Sequence, residues 1–277
     1  ARNEEQYLAE ALNSLSVQSF DRQQFEVIVV NDASTDKTPD IADEFAKTFS
    51  NFFCLNISEN MRNKAILHGK QNSVHFALEK AKGEFIVQLD ADCKALPDFL
   101  QSYSNYFSEG FDFVFGVTDI DAARGCNGKI QRADLHYLMT IAALSAQMSV
   151  PLSCMGNNMG YSKKAYQEIG GYNALGANLV EDYQLMLAFI ANRKKVTVMR
   201  ENKVMVYTRT EKDFATFVRQ RVRWARGLSL PNGAMKILLV VRLFMTLLFW
   251  YGVVSCAIGD CRNILLSAVI ASVDSLI

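Results

Sequence analysis

The sequence predicts an α/β fold in which a mostly parallel sheet is flanked by helices. Short apolar runs at residues 25–30 and 84–89 each follow a segment with the 3.6-residue spacing of an amphipathic helix. A third apolar run, at residues 111–117, has the character of another buried strand. Because strands that alternate with helices pair in parallel, we expect a ligand crevice at their carboxyl ends.

The predicted helices rest on apolar residues that recur every three to four positions. In the first, residues 5–16, the side chains of Leu8, Leu12 and Leu15 share one face. Further elements are expected as helices at residues 35–49, 68–81, 129–148 and 182–191, and as a strand at residues 196–199. Together these elements predict a globular domain over residues 1–232.

Composition excludes several classes of protein. Of the 277 residues 50% are apolar, which excludes a disordered chain and a small disulfide scaffold. The 29 basic residues balance 29 acidic ones, so no nucleic-acid partner is expected, because phosphate binding needs a surplus of positive charge. The six cysteines form no C-x-x-C pair and have no histidine at ligand spacing, which argues against zinc.

The composition becomes strongly apolar after Lys236. Residues 237–259 carry one charge, that of Arg242, and at ~1.5 Å per residue they reach about 35 Å, enough to cross a bilayer. A second apolar run at residues 264–273 predicts a truncated transmembrane hairpin over residues 233–277, with two buried core helices as the alternative. Basic residues precede the first run, which predicts an inner or plasma membrane location with the globular part in the cytosol.

Two acidic residues follow the strand at residues 84–89. Asp90 and Asp92 are two positions apart, so on an extended segment both carboxylates face the same way and can reach one hard divalent cation. Such a cation stabilises a departing phosphate group. Because acidic residues also fill ordinary loops, the position after a strand carries this prediction.

Three further acids occupy comparable positions. Asp32 follows the strand at residues 25–30 and is predicted to accept hydrogen bonds from a base or ribose, with an Asx turn as the alternative. Glu181 and Asp182 begin a helix after a glycine-rich stretch. A carboxylate there can act as the general base for an attacking hydroxyl, or it can simply complement the helix dipole.

Basic and aromatic residues complete the candidate set. The spacing of Gln220, Arg223 and Trp224 places them on one helical face, where arginine can pair with a pyrophosphate and the indole can contact a sugar ring. A basic helix touching anionic lipid headgroups is the alternative. Lys70, after Gly69, is a candidate for a phosphate or base contact, with a solvated surface lysine as the alternative.

Seven short motifs occur together in one order. They are residues 1–5 (ARNEE), 29–36 (VVNDASTD), 69–70 (GK), 81–84 (AKGE), 89–92 (LDAD), 181–182 (ED) and 220–224 (QRVRW). In this combination the sequence resembles the inverting glycosyltransferases of family 2, which have the GT-A fold, and in particular their membrane-bound, synthase-like members. The resemblance spans Ala1 to Trp224.

The resemblance implies a role for each matching residue. Asp32 would contact the nucleotide base, Asp90 would lie at the ribose, diphosphate and metal, and Asp92 would bind the metal, Mg²⁺ or Mn²⁺. Asp182 would deprotonate the acceptor hydroxyl beside Glu181. Gln220, Arg223 and Trp224 would line the acceptor site and steady the diphosphate.

The implied activity is transfer of a hexose or N-acetylhexosamine from a nucleotide-diphosphate sugar, with the UDP-linked form as the expected donor. The acceptor would be a hydroxyl of a lipid or growing glycan at the cytosolic membrane face. A nucleotidyltransferase that makes nucleotide sugars, or an inactive membrane scaffold, are the alternatives.

The sequence departs from the family pattern in three places. The usual first strand is missing, so the sheet is expected to lack a central strand. Asn31 stands where an acid is frequent, which argues against metal binding there. The membrane part stops after about one and a half helices, so processive synthesis does not follow.

Overall fold

The computed structural model describes residues 1–67, 69–121, 123–147, 151, 153–178, 180–199, 205–227 and 251. The chain divides into two compact units, Ala1–Gln220 and Arg221–Ile277. Nearly all described residues belong to the first unit, which contains every strand named below.

The elements alternate between strands and helices along the first unit. In chain order they are α1 (Leu8–Ser16), β1 (Val27–Asp32), α2 (Thr38–Thr48), β2 (Phe52–Ile57), α3 (Glu59–Lys64), α4 (Lys70–Lys80), β3 (Phe85–Gln88), β4 (Lys94–Ala95), α5 (Phe99–Ser108), β5 (Phe113–Phe115), β6 (Thr118–Ile120), α6 (Gly125–Gln147), β7 (Met159–Ser162), α7 (Lys163–Glu168), α8 (Gly171–Leu175), α9 (Glu181–Ala191), β8 (Val196–Val198), β9 (Val206–Thr208) and α10 (Phe214–Gly227). The last helix continues into the second unit.

The sheets are mixed, so the expectation of a mostly parallel sheet was wrong. The pairings β1–β2, β5–β8 and β6–β9 are parallel, whereas β3–β7, β5–β7 and β4–β9 are antiparallel. The difference arises mainly from β7, which lies between β3 and β5 and runs against both. This strand reads Met-Gly-Tyr-Ser and has no apolar run, so periodicity does not reveal it.

Gly160 allows β7 to pack closely against α5. A Cβ at this position would lie 2.8 Å from the Tyr103 ring of α5, which is closer than side-chain atoms approach. The glycine therefore lets α5 pack directly on the strand. Tyr103 joins Phe99 and Phe107 in a core cluster on this side of the sheet, and each such aromatic contributes roughly 1.5–3 kcal/mol through burial.

A groove of about 820 Å³ separates the strands β1 and β3. Within the described residues these two strands belong to different sheets and share no hydrogen bonds. On the far side of β1, Leu8 and Leu12 of α1 pack on Val29 and Phe52 in a second core cluster.

The predicted membrane hairpin at residues 233–277 lies outside the described residues, except for Tyr251. Over the ranges that the structure does describe, no helix combines the length and hydropathy needed to cross a bilayer. The transmembrane helices therefore stay a prediction.

Candidate functional site

Residues from four distant segments meet at one edge of the central sheet. Asp90 and Asp92 follow β3, and Gly156 precedes β7. Because β7 is antiparallel to β3, with Gln88 opposite Met159, the residues after β3 and those before β7 lie at the same edge. Asp182, at the start of α9, contacts this edge through Gly156.

Lys70 connects the two sides of this edge. It is the first residue of α4, and its ammonium donates hydrogen bonds to Oδ1 of Asp90 and, over 2.9 Å, to the carbonyl of Gly156. Its side chain is 33% exposed and that of Asp90 is 37% exposed, so the ion pair borders solvent. Lys70 is therefore not simply the solvated surface lysine of the alternative, because it bonds to Asp90 and to Gly156.

The pKa of Lys70 lies above its usual value. Burial lowers this pKa, but the carboxylates of Asp90, Glu181 and Asp182 outweigh burial and raise it. Lys70 is therefore a permanent cation among these three acids.

Asp182 has the properties of a general base. Its Oδ2 accepts a 2.7 Å hydrogen bond from the main-chain N–H of Gly156, and its Oδ1 accepts one of 2.8 Å from its neighbour Tyr183. Burial raises the pKa of Asp182 even though Lys70 and these hydrogen bonds oppose the shift. A carboxylate held rigidly and with a raised pKa is a better proton acceptor than an ordinary aspartate.

Glu181 lies beside this base and shares its environment. Burial and the negative charge of Asp182 raise the pKa of Glu181 to about 7. The two carboxylates therefore influence each other's protonation, as neighbouring acids do in many active sites.

Asp92 and Asp90 are suited to a divalent cation that is shared with a ligand. Burial raises the pKa of Asp92, and the charge of Asp90 raises it further, whereas Lys70 lowers it. In the described part of the chain, no group of three acidic, histidine or cysteine side chains is arranged to hold a metal. The oxygen donors therefore fit Mg²⁺ or Mn²⁺ only if phosphate oxygens supply further ligands.

Asp32 presents an unsatisfied oxygen at the end of β1. The residue is 5% exposed, and its Oδ2 lies 3.4 Å from Nε of Arg62 on α3. Its Oδ1 is buried without a hydrogen-bond partner among the described residues. Because such an atom costs folding free energy, it is well placed to accept a hydrogen bond from a ligand.

The turn after β1 is formed by Asn31 and not by Asp32. The Oδ1 of Asn31 accepts a hydrogen bond of 3.1 Å from the N–H of Ser34, and its amide donates to Asn56 over 2.8 Å. These contacts explain why an amide suits this position. They also leave Asp32 outside the Asx turn, the alternative explanation for this acid.

Two buried asparagines beside Gly156 were not identified from the sequence. Asn157 accepts a hydrogen bond from Thr118 over 2.9 Å and donates to Sγ of Cys93 over 3.5 Å. Asn158 accepts from the Tyr103 hydroxyl and donates to the Val117 carbonyl, each over 2.9 Å. Because Cys93 follows Asp92 directly, Asn157 connects the metal-site turn to the segment that holds Asp182.

The predicted acceptor residues Gln220, Arg223 and Trp224 all lie on α10. Gln220 donates a 2.6 Å hydrogen bond to Glu211, which in turn pairs with Gln131 of α6. Arg223 and Trp224 belong to the second unit, in which Arg223 is exposed and the Arg221 guanidinium lies 4.2 Å from the Trp224 ring centre. The predicted acceptor contacts of Gln220, Arg223 and Trp224 stay a prediction.

The known proteins that this chain resembles in sequence align with it over only part of their length. The poly(ribitol-phosphate) β-N-acetylglucosaminyltransferase TarS of Staphylococcus aureus is 31% identical over 127 residues, 46% of this chain and 20% of TarS. A β-monoglucosyldiacylglycerol synthase of Synechocystis is 23% identical over 236 residues, 82% of this chain and 46% of the synthase. The matched region thus spans less than half of either relative.

Solved structures share the fold. The mannosyltransferase PcManGT of Pyrobaculum calidifontis, in complex with GDP-Man and Mn²⁺, superposes with a TM-score of 0.65 at 18% identity, over 99% of this chain and 78% of that chain. TarS 1-349 in complex with UDP-GlcNAc superposes with a TM-score of 0.55 at 20% identity, over 77% of this chain and 57% of that chain. These likenesses identify the mixed α/β architecture as the GT-A glycosyltransferase fold.

A family model gives the most specific match. The model described as glycosyl transferase family 2 matches residues 1–170, which is more than half of the chain and includes Asp32, Lys70, Asp90 and Asp92. The matched residues, the fold and the order of the motifs agree, and the chain belongs to glycosyl transferase family 2.

Proposed function

We propose that this protein transfers a sugar from a nucleotide-diphosphate donor to an acceptor hydroxyl in one inverting displacement. The observation that carries the proposal is a chain of three contacts around Gly156. Lys70 bonds to Asp90 and to the Gly156 carbonyl, and the Gly156 N–H donates to Asp182. In this arrangement Lys70 and the Gly156 peptide connect the proposed donor-side acid to the proposed base, whose pKa is raised. In a single displacement, the base acts on the acceptor while the diphosphate departs.

On the donor side, Asp92 and Asp90 would hold Mg²⁺ or Mn²⁺ together with the diphosphate. The bound ion neutralises the charge that develops on the leaving phosphate oxygens. Asp32 would accept a hydrogen bond from the nucleotide base through its unpartnered Oδ1. A UDP-linked donor is supported by the UDP-GlcNAc complex of TarS, and a divalent metal by the Mn²⁺ complex of PcManGT.

On the acceptor side, Asp182 would take the proton of the attacking hydroxyl, and Glu181 would line the same pocket. Gln220, Arg223 and Trp224 complete the acceptor site in this proposal. The acceptor is a lipid or a growing glycan, and the name of the Synechocystis synthase supports a lipid. Residues 233–277 would anchor the protein at an inner or plasma membrane with the catalytic domain in the cytosol.

The decisive experiment is a donor screen with the protein in membranes. UDP- and GDP-linked sugars are supplied with Mn²⁺ or Mg²⁺, and released nucleotide diphosphate and the anomeric configuration of the product are measured. Release of UDP with an inverted linkage supports the proposal.

Two other outcomes would overturn this function. Pyrophosphate release from a nucleoside triphosphate and a sugar phosphate would identify a nucleotidyltransferase instead. No metal-dependent heat on titration with UDP and Mn²⁺ would identify an inactive scaffold.

A further inference from the structure

The peptide unit of Gly156 contacts both Lys70 and Asp182. Its carbonyl accepts a hydrogen bond from the Lys70 ammonium over 2.9 Å, while the same ammonium pairs with Asp90. Its N–H donates to Oδ2 of Asp182 over 2.7 Å. A chain of contacts therefore runs from the donor-side acid, through Lys70 and one glycine, to the base.

The space around Gly156 is tight. A Cβ added there would lie 3.0 Å from Nζ of Lys70 and 3.2 Å from both Cβ and Oδ2 of Asp182. These separations are shorter than most contacts between carbon atoms and their neighbours. Any side chain at residue 156 therefore requires Lys70 and Asp182 to shift by a few tenths of an ångström.

The contacts of Lys70 argue against a freely mobile phosphate-binding lysine. An ammonium has three donors, and two of them are directed at Asp90 and at the Gly156 carbonyl. A second link joins the same two regions, because Asn157 donates a hydrogen bond to Cys93, the residue after Asp92. Lys70 is therefore part of a set of internal contacts that joins the turn after β3 to the segment before β7.

We propose that Lys70 is a positioning residue that sets the separation between the donor-side carboxylate Asp90 and the base Asp182. This inference rests on the proposed function and replaces the phosphate or base contact that the sequence predicts for Lys70. It requires that loss of Lys70 impairs the chemical step while the donor still binds. A lysine that bound the diphosphate would have the opposite effect.

Three variants and one control test this role. Lys70→Met removes the charge at similar length, Lys70→Arg retains a cation that can bridge two acceptors, and Gly156→Ala disturbs the same junction without changing any charge. Lys80→Met, at the exposed end of the same helix, is the matched control. For each variant, kcat and the donor KM are measured, and the Kd for UDP with Mn²⁺ is determined by calorimetry.

We expect Lys70→Met to lower kcat by about 10- to 100-fold, because a displacement of about 1 Å in a reacting group has an effect of this size. The Kd for UDP with Mn²⁺ should stay within about threefold, or tighten as Asp90 loses its competing cation. Gly156→Ala should likewise lower kcat and leave the Kd for UDP with Mn²⁺ nearly unchanged. Lys70→Arg should recover part of the turnover, and Lys80→Met should match the wild type.

The opposite split would overturn the inference. If Lys70→Met weakens UDP binding by about tenfold or more while kcat stays within threefold, Lys70 contacts the nucleotide. If Lys70→Met changes both constants or does not fold, Gly156→Ala decides, and a wild-type kcat in that variant rejects the positioning role. A wild-type protein that transfers no sugar would instead refute the proposed function.

Discussion

Gly156 donates its main-chain N–H to Oδ2 of Asp182 over 2.7 Å, although the two residues are 26 positions apart in the chain. The contact holds the candidate base at a fixed point on the sheet edge. It is made by the main chain and depends on no side chain of residue 156.

Asp182→Asn should abolish transfer and leave donor binding nearly intact. The amide retains one oxygen for a hydrogen bond but cannot accept a proton, so kcat should fall by about 10²- to 10⁴-fold. Calorimetry with UDP and Mn²⁺ should give a Kd within threefold of the wild type. Asp40→Asn on the exposed face of α2 is the control, and wild-type turnover in Asp182→Asn would remove the base from the mechanism.

The acid limb of the pH profile should follow the burial of Asp182 and not the charge of Glu181. Asp182 must be ionised to act, and burial raises its pKa, so turnover should be lost as the pH falls through a value above that of an ordinary aspartate, about 3.9. Because burial and Asp182 raise the pKa of Glu181 to about 7, Glu181 is already neutral when Asp182 takes up its proton. Glu181→Gln should therefore leave this limb in place.

Measurements of kcat between about pH 4 and pH 8 test this expectation. The exposed substitution Glu79→Gln, on α4, serves as control. An acid limb that moves to lower pH in Glu181→Gln would show that Glu181 is charged while Asp182 titrates.

Metal-dependent donor binding should weaken at low pH through Asp92. Burial and Asp90 raise the pKa of Asp92, so a proton competes with the cation, and binding is lost as the pH falls through this raised pKa. Asp92→Ala should weaken UDP binding in Mn²⁺ by about tenfold or more and should leave the weak binding in a chelator unchanged. Equal affinities of wild type and variant in Mn²⁺ would contradict the assignment.

Asn158 should be important for stability rather than for chemistry. Its side chain is fully buried between the Tyr103 hydroxyl and the Val117 carbonyl. Asn158→Ala leaves both groups unpaired and should lower the free energy of unfolding by about 2–4 kcal/mol in urea. Asn105→Ala on the exposed face of α5 should change it by less than about 0.5 kcal/mol, and similar values for both variants would contradict the role of this network.

Sequence patterns predict the elements that have long periodic or apolar segments. The helices α1, α2, α4, α6 and α9 and the strands β1, β3, β5 and β8 all overlap predicted segments, with ends that differ by up to four residues in α6 and by one or two in α9 and β1. The patterns missed β2 and α5, although Phe99, Tyr103 and Phe107 have the spacing of a buried helical face.

The site was predicted in part, for a physical reason. Acids that follow strands are visible in a sequence, and the structure joins Asp90 to Asp182 through Lys70 and Gly156. The partners of Lys70 are 20 and 86 positions away, so no local pattern reveals them. Buried asparagines such as Asn158 are also hard to predict, because asparagine is usually exposed.

The two ends of β7 differ in their distance from the candidate site. Gly156 and the two asparagines precede the strand, at the end that contacts Asp182. Ser162 pairs with Phe85 at the opposite end, where the N–H of Lys163 donates to the Glu84 carbonyl. Because Ser162 also caps α7 by accepting a hydrogen bond from the N–H of Ala165, insertions after Ser162 are expected to disturb this helix rather than the site. Changes in the connection that leads into β7 act on the peptide that holds Asp182, so we expect them to lower turnover.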